Sequence, residues 1–232
     1  MKTNYQLELD AVLSDLEERG IRPRLLLHSC CGPCSSYVLE YLVEWFDITV
    51  LYYNPCIDPE EEYTLRKDVQ KGLIERMNAH GADIRYLDLP YDHLSFLDAV
   101  RGHEADPEGG ARCAICFEQR LRTAASVAKD GGFDWFCTTL TVSPHKNARV
   151  LNDLGQSIAR ETGVPFLPAD FKKRDGYKRS IELSRKYCLY RQNYCGCEFS
   201  SRPEEADTET QVMAAAVSAS IARDAGQGKA GA

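Results

Sequence analysis

Three consecutive leucines, Leu25 to Leu27, run between Arg24 and His28 without polar alternation, and a turn of cysteine, glycine and proline follows at once. A strand that is apolar on both faces has to be covered on both, which is the situation of a strand inside a parallel sheet. Ser29 to Pro33 reads as its outgoing loop and Ser35 to Trp45 as the next helix. The unit repeats along the chain. After an amphipathic helix at Gln6 to Glu18, strands are predicted at Arg24 to His28, Ile48 to Asn54, Ile84 to Leu87, Trp135 to Thr139 and Pro165 to Leu167. Helices fit between them: one opening at Asp58 as N-cap with Pro59 first and stopping near Gly81, one over Cys113 to Lys129, and one over Lys146 to Arg160. This pattern predicts an α/β fold, a Rossmann-like parallel sheet with helices on both faces and right-handed crossovers. Ligand sites in such sheets lie beyond the carboxyl edge of the strands. The Cys30–Cys34, Tyr53–Asp58 and Thr141–Asn147 loops leave that edge.

Seven of the ten cysteines fall into three groups there and elsewhere: Cys30, Cys31 and Cys34; Cys113 and Cys116; Cys195 and Cys197. That is more than packing needs, and it suits soft metals that demand thiolates. A helix N-terminus beside the first group favours thiolate over thiol. Adjacent Cys30 and Cys31 fit two irons of a cubane better than one tetrahedral zinc, while the Cys113-X-X-Cys116 spacing lets two sulfurs converge on one centre. Iron-sulfur chemistry follows from this reading. Two others use the same residues. Cys31-Gly32-Pro33-Cys34 is also the thioredoxin active-site tetrapeptide, and a zinc-stabilised binding module is the third possibility. Cys137, in an apolar strand, reads as core; Cys188, in a helical stretch, as packing; Cys56 stands alone on a loop of the active edge.

With 232 residues, 44% hydrophobic and 27% charged, the composition is that of one α/β domain over residues 1–200, followed by a low-complexity tail over 201–232 with a transient helix at Thr208 to Arg223. There is neither a membrane span nor a secretory signal, so a cytoplasmic location is expected, where thiols serve metals or redox chemistry rather than structural disulfides. A net charge of -7 argues against a polynucleotide partner, yet eight basic residues stand against Asp175 and Glu182 between Lys172 and Arg191. Such a run is either a solvated helix face or, beside Tyr187, Tyr190 and Tyr194, a surface that grips phosphates around a held base.

Five segments carry a resemblance to a known family: HSCCGPCSS from His28, YYNPCIDPEEEYTLR from Tyr52, RCAICFEQRL from Arg112, TTLTVSPHKN from Thr138, and the long DFKKRDGYKRSIELSRKYCLYRQNYCGCEFS from Asp170. Together they closely resemble the cobalamin-independent epoxyqueuosine reductases of bacterial queuosine synthesis, across His28 to Ser200. The resemblance implies removal of the epoxide oxygen from epoxyqueuosine at the wobble position of tRNA. It implies a 4Fe-4S cluster held by Cys30, Cys31, Cys113 and Cys116, and a mononuclear iron held by Cys34, Cys195 and Cys197. Cys56 departs from the Asn common at its place in the family.

Loss of an epoxide oxygen as water takes two electrons and two protons, whereas a cluster passes electrons singly, which gives the second iron a purpose as Lewis acid. Asp170, Tyr194 and His28 are candidate proton donors. Tyr190 and Tyr194 are candidates to stack on the unstacked base, with Lys172, Lys173, Lys178, Arg179, Arg191 and Arg112 toward phosphates. Arg66 and Arg120, on helices, fit surface ion pairs as well as a functional role. Partners are therefore tRNA carrying epoxyqueuosine and an unidentified electron donor. The Ser143–Asn147 loop follows a strand as phosphate loops do, but the first turn is CCGPC rather than a pyrophosphate loop, which disfavours an ATP-using tRNA-thiolation enzyme.

Overall fold

In the computed structural model, which describes residues 3–200, four parallel strands form the sheet. β1 (Arg24–Ser29) lies between β2 (Asp47–Tyr52) and β4 (Trp135–Thr138), with β3 (Arg85–Asp88) outside β2. Leu26 sits opposite Thr49 on one side and Phe136 on the other. The chain steps outward from β1 to β3 and then returns to β4 on the opposite flank. That reversal opens a crevice beyond the carboxyl ends of β1 and β4. The strand expected at Pro165 to Leu167 is only one parallel bridge, Phe136 to Phe166. Pro165 and Pro168 have no N–H, so a longer ladder cannot form there.

Alternation along β1 divides the core. Leu25 and Leu27 pack with α1 (Tyr5–Arg19), α2 (Gly32–Leu42) and α3 (Glu60–Asn78), whereas Leu26 packs with α5 (Ala111–Asp130) and α6 (Ala148–Thr162). Both faces are covered, as a doubly apolar strand requires. Local signals explain most helix ends. Asn4 and Asn147 cap α1 and α6 through their side-chain oxygens, and left-handed Gly20 and Gly163 close the same two helices.

Three expectations need correction. α3 begins at Glu60, not Pro59: Pro59 takes the N-cap position in place of Asp58, no side chain caps the helix, and the Asp58 N–H donates to the Gly196 carbonyl at 2.9 Å. Cys188 is exposed at a positive φ of 47°, just past the end of α7 (Gly176–Lys186), because the helix has already stopped at Lys186. The basic run is helical only over α7, with Lys172, Lys173, Arg174 and Arg191 outside it; the helix is not wholly a solvated face, since it buries Ser180, Leu183 and Ser184 and packs on α2. A short α4 (His93–Ala99), capped by Asp92, adds to the expected set. No helix among the described residues is long and apolar enough to cross a membrane. The tail reading for residues 201–232 lies outside the described residues.

Candidate metal centre and active-site cavity

A cavity of about 510 Å³ occupies the crevice, and Cys30, Cys34, Arg66, Arg120, Tyr194 and Cys195 are in its wall. Cys30, at the end of β1, Cys31, at the N-cap of α2, and Cys34, in the helix's first turn, bring three sulfurs within 4.8 Å of one another. Gly32 makes this possible, since a Cβ there would come within 2.8 Å of Val69 Cγ1 and lift the turn off α3. The three thiols share their protons unevenly. Contacts from Cys30 and Cys34, with a 3.0 Å hydrogen bond donated by Gln192 Nε2, hold Cys31 well below the ordinary thiol range, while Cys30 and Cys34 are pushed up. A trio with one ready thiolate suits a soft cation.

A second group forms beside the cavity, whose wall takes in Cys195 but not Cys56, Cys113, Cys116 or Cys197. Cys56 and Cys116 are buried in one cluster with Cys197. The Cys116 thiol lowers Cys56 to about 6, and Cys116 is raised well above the usual range in return. Cys113 lies one turn before Cys116 on α5 and accepts the Gly109 N–H at 3.2 Å. The Cys195–Cys197 loop closes over the site. Its Gly196 has φ +98°, and an added Cβ would meet Arg66 Nη1 at 2.7 Å, so only glycine fits. Arg66 Nη1 in turn donates to the Cys195 carbonyl at 3.0 Å. Burial pushes Cys197 up to about 12. Cys137 is core, as expected, its Sγ 3.3 Å from the Leu167 carbonyl.

Positive charge answers these thiols from inside the protein. Arg66, Arg112 and Arg120 are each 2% exposed, far from the surface ion pairs that helix positions suggest. Arg66 pairs with Glu62 at 2.6 Å, and its guanidinium stacks 5.0 Å from the Tyr194 ring. Arg120 reaches the Cys116 carbonyl at 3.1 Å and Asn54 Oδ1 at 3.4 Å, and its Nη2 has no partner. Lys146, from the loop after β4, also lines the cavity. Burial would lower its pKa, but the Cys195, Cys30 and Cys34 thiols more than reverse that.

The remaining predicted residues divide by position. Tyr194 and Arg191 line the cavity, Arg191 lying 5.3 Å over the Tyr177 ring. Tyr190 is buried with its hydroxyl on Glu62, and so offers no free face to a base. Arg112 is buried too, donating to the His103, Glu104 and Asp106 carbonyls, so it orders the approach to α5 rather than facing solvent. Asp170 pairs with Lys172 at 2.6 Å outside the cavity wall. Arg179 is held by Glu40 and Glu182. Lys173 and Lys178 are exposed. His28 is fully buried. Its Nε2–H donates to the Tyr53 carbonyl at 3.0 Å, and its Nδ1 accepts from Thr138 Oγ1 at 2.9 Å. Desolvation first, then the Arg120 charge, lowers it to about 4.

These donors fit an iron-sulfur group: the Cys30, Cys31 and Cys34 sulfurs are gathered together, Cys56, Cys116 and Cys197 share a second buried cluster, and the buried Arg120 charge is felt by thiols of both. Fold and site together define an α/β protein with a thiol-walled cavity at the switch point of a Rossmann-like sheet, suited to a resident metal. A family model described as "Epoxyqueuosine reductase QueH" matches residues 25–203. Proteins of that name are similar over most of their length: 42% identical in Staphylococcus aureus (90% of this chain, 88% of the relative), 40% in Streptococcus pyogenes (89% and 83%) and 32% in Thermotoga maritima (76% and 89%). The chain belongs to the epoxyqueuosine reductase QueH family, and it is an oxidoreductase.

Proposed function

We propose that the protein reduces epoxyqueuosine to queuosine at the wobble position of tRNA in the cytoplasm, drawing electrons from a donor protein or small reductant. The observation that supports this most is the Cys30, Cys31 and Cys34 trio at a cavity that Cys195 also walls, in a chain of this family. Cys30, Cys31, Cys113 and Cys116 would hold a 4Fe-4S cluster, and Cys34, Cys195 and Cys197 a single iron beside it. When bound, these groups supply electrons one at a time and a Lewis acid.

The chain's own residues do the rest. A space of about 510 Å³ admits one modified base and excludes a stacked anticodon, so the base enters unstacked. Tyr194 is the proton donor of choice: it lines the cavity, and desolvation with Glu62 nearby raises its pKa, keeping the phenol protonated. The guanidinium of Arg66 fixes its ring. Asp170 is the second candidate. His28, neutral with its Nε2–H donated to the Tyr53 carbonyl, is better suited to orienting the Cys30 loop. Lys173 and Lys178 meet phosphates outside, with Arg191 at the rim.

Anaerobic purification with iron and sulfide analysis, followed by turnover of epoxyqueuosine-containing tRNA under a chemical reductant, tests the reading. About four sulfides and four to five irons per chain, with product formed, are expected. Cys195→Ala should abolish turnover while keeping most of the cluster absorbance. One zinc without sulfide would sink the proposal, and loss of the whole cluster in Cys195→Ala would contradict two separate sites.

A further inference from the structure

We infer that Arg120 is the internal counter-ion of the thiolate-bound cluster and that it sets the cluster's reduction potential; this rests on the cluster reading above. Three observations single it out from the other buried arginines. Arg66 has the Glu62 carboxylate at 2.6 Å and Arg112 faces backbone carbonyls, but no carboxylate among the described residues pairs with Arg120. Its side chain is almost wholly buried, and Nη2 has no acceptor although Nε and Nη1 are placed. It walls the cavity together with Cys30 and Cys195, and the groups whose charge it feels are the thiols of Cys116, Cys56, Cys195 and Cys30.

A guanidinium buried without a counter-charge is costly, and it keeps its proton at every accessible pH. The groups that answer it are the thiols around it, Cys56 among them, so its balancing charge comes from thiolates and from whatever they bind. A 4Fe-4S core on four thiolates carries a charge of about -2, and one added electron takes it to about -3. A fixed cation beside it favours the more negative form, so the potential rises. Asn54, which itself donates to the Ser29 carbonyl at 2.8 Å, steers the guanidinium toward the Cys30 loop.

The test compares wild type, Arg120→Gln and Arg120→Lys after anaerobic loading with iron and sulfide, titrating the cluster with dithionite under electron paramagnetic resonance. Arg120→Gln is expected to lower the midpoint by at least tenfold in the one-electron equilibrium, 59 mV. Arg120→Lys is expected to fall between. Equal midpoints in all three overturn the inference, as does an unchanged midpoint with weakened tRNA binding, which would make Arg120 a substrate contact. If wild type takes up neither iron nor sulfide, the cluster reading itself has failed. Should the variants not fold, wild type labelled with ¹⁵N-arginine still decides: a nitrogen coupling to the reduced cluster is expected, and its absence overturns the inference.

Discussion

His28 closes β1 with no solvent contact and with both ring nitrogens bonded, so protonating it would break the Thr138 hydrogen bond and bury a charge near Arg120. Its folded pKa of about 4 lies below the unfolded value, so the unfolded chain binds the extra proton first. Stability is then full above about pH 6.5 and falls as pH drops toward 4, by about 3 kcal/mol from this group. Urea unfolding of the metal-free protein across that window should show the decline. In His28→Gln the same window should be flatter, and an unchanged slope would assign the acid sensitivity to other groups. At this scale the least legible residues were the arginines. Arg66, Arg112 and Arg120 sit on helices where charged side chains ordinarily face water, and only their partners, a carboxylate, three carbonyls and a set of thiols, explain why they do not.

Among the elements, α6 reaches beyond its own turns. Asn152 Nδ2 donates to the Ala169 carbonyl at 2.9 Å while Oδ1 accepts the Ala169 N–H at 2.9 Å, so one buried amide replaces the ladder that Pro165 and Pro168 deny this segment. Asn152→Ala should leave two buried backbone groups unpaired and lower stability by about 3 kcal/mol. A denaturation midpoint within error of wild type would show that water replaces the clamp. β1, α2 and β4 were readable because their apolar runs and the cysteine-glycine-proline turn between them leave few alternatives. α7 was harder: only Leu183 is a large apolar residue on its buried face, and the small Ser180 and Ser184 carry the rest of the packing. The approach of Cys56 to Cys116 could not be read from spacing, because it depends on how the loop after β2 meets the first turns of the distant helix α5.

For the molecule as a whole, the charge is unevenly placed: -7 overall, yet with Lys173 and Lys178 exposed on the basic stretch that includes α7. A polynucleotide approaching this acidic protein meets its favourable field there. Lys173→Ala with Lys178→Ala should weaken tRNA binding and reduce the dependence of log K on log salt by about 1 to 2. An identical salt slope would take this face out of the interface.

The loop from Tyr187 to Ser200 contains no regular element longer than one 3-10 turn, and three of its ties to the body involve the cysteine segments: Gln192 on Cys31, Arg66 on the Cys195 carbonyl, and Asp58 on Gly196. An occupant bridging Cys195 and Cys197 to Cys34 would act as a buckle on that strap, shutting a loop almost as long as the described chain. If these three cysteines share an iron as proposed above, limited proteolysis should cut metal-free protein within this segment sooner than loaded protein, and equal cutting rates would show that the strap holds by its own contacts.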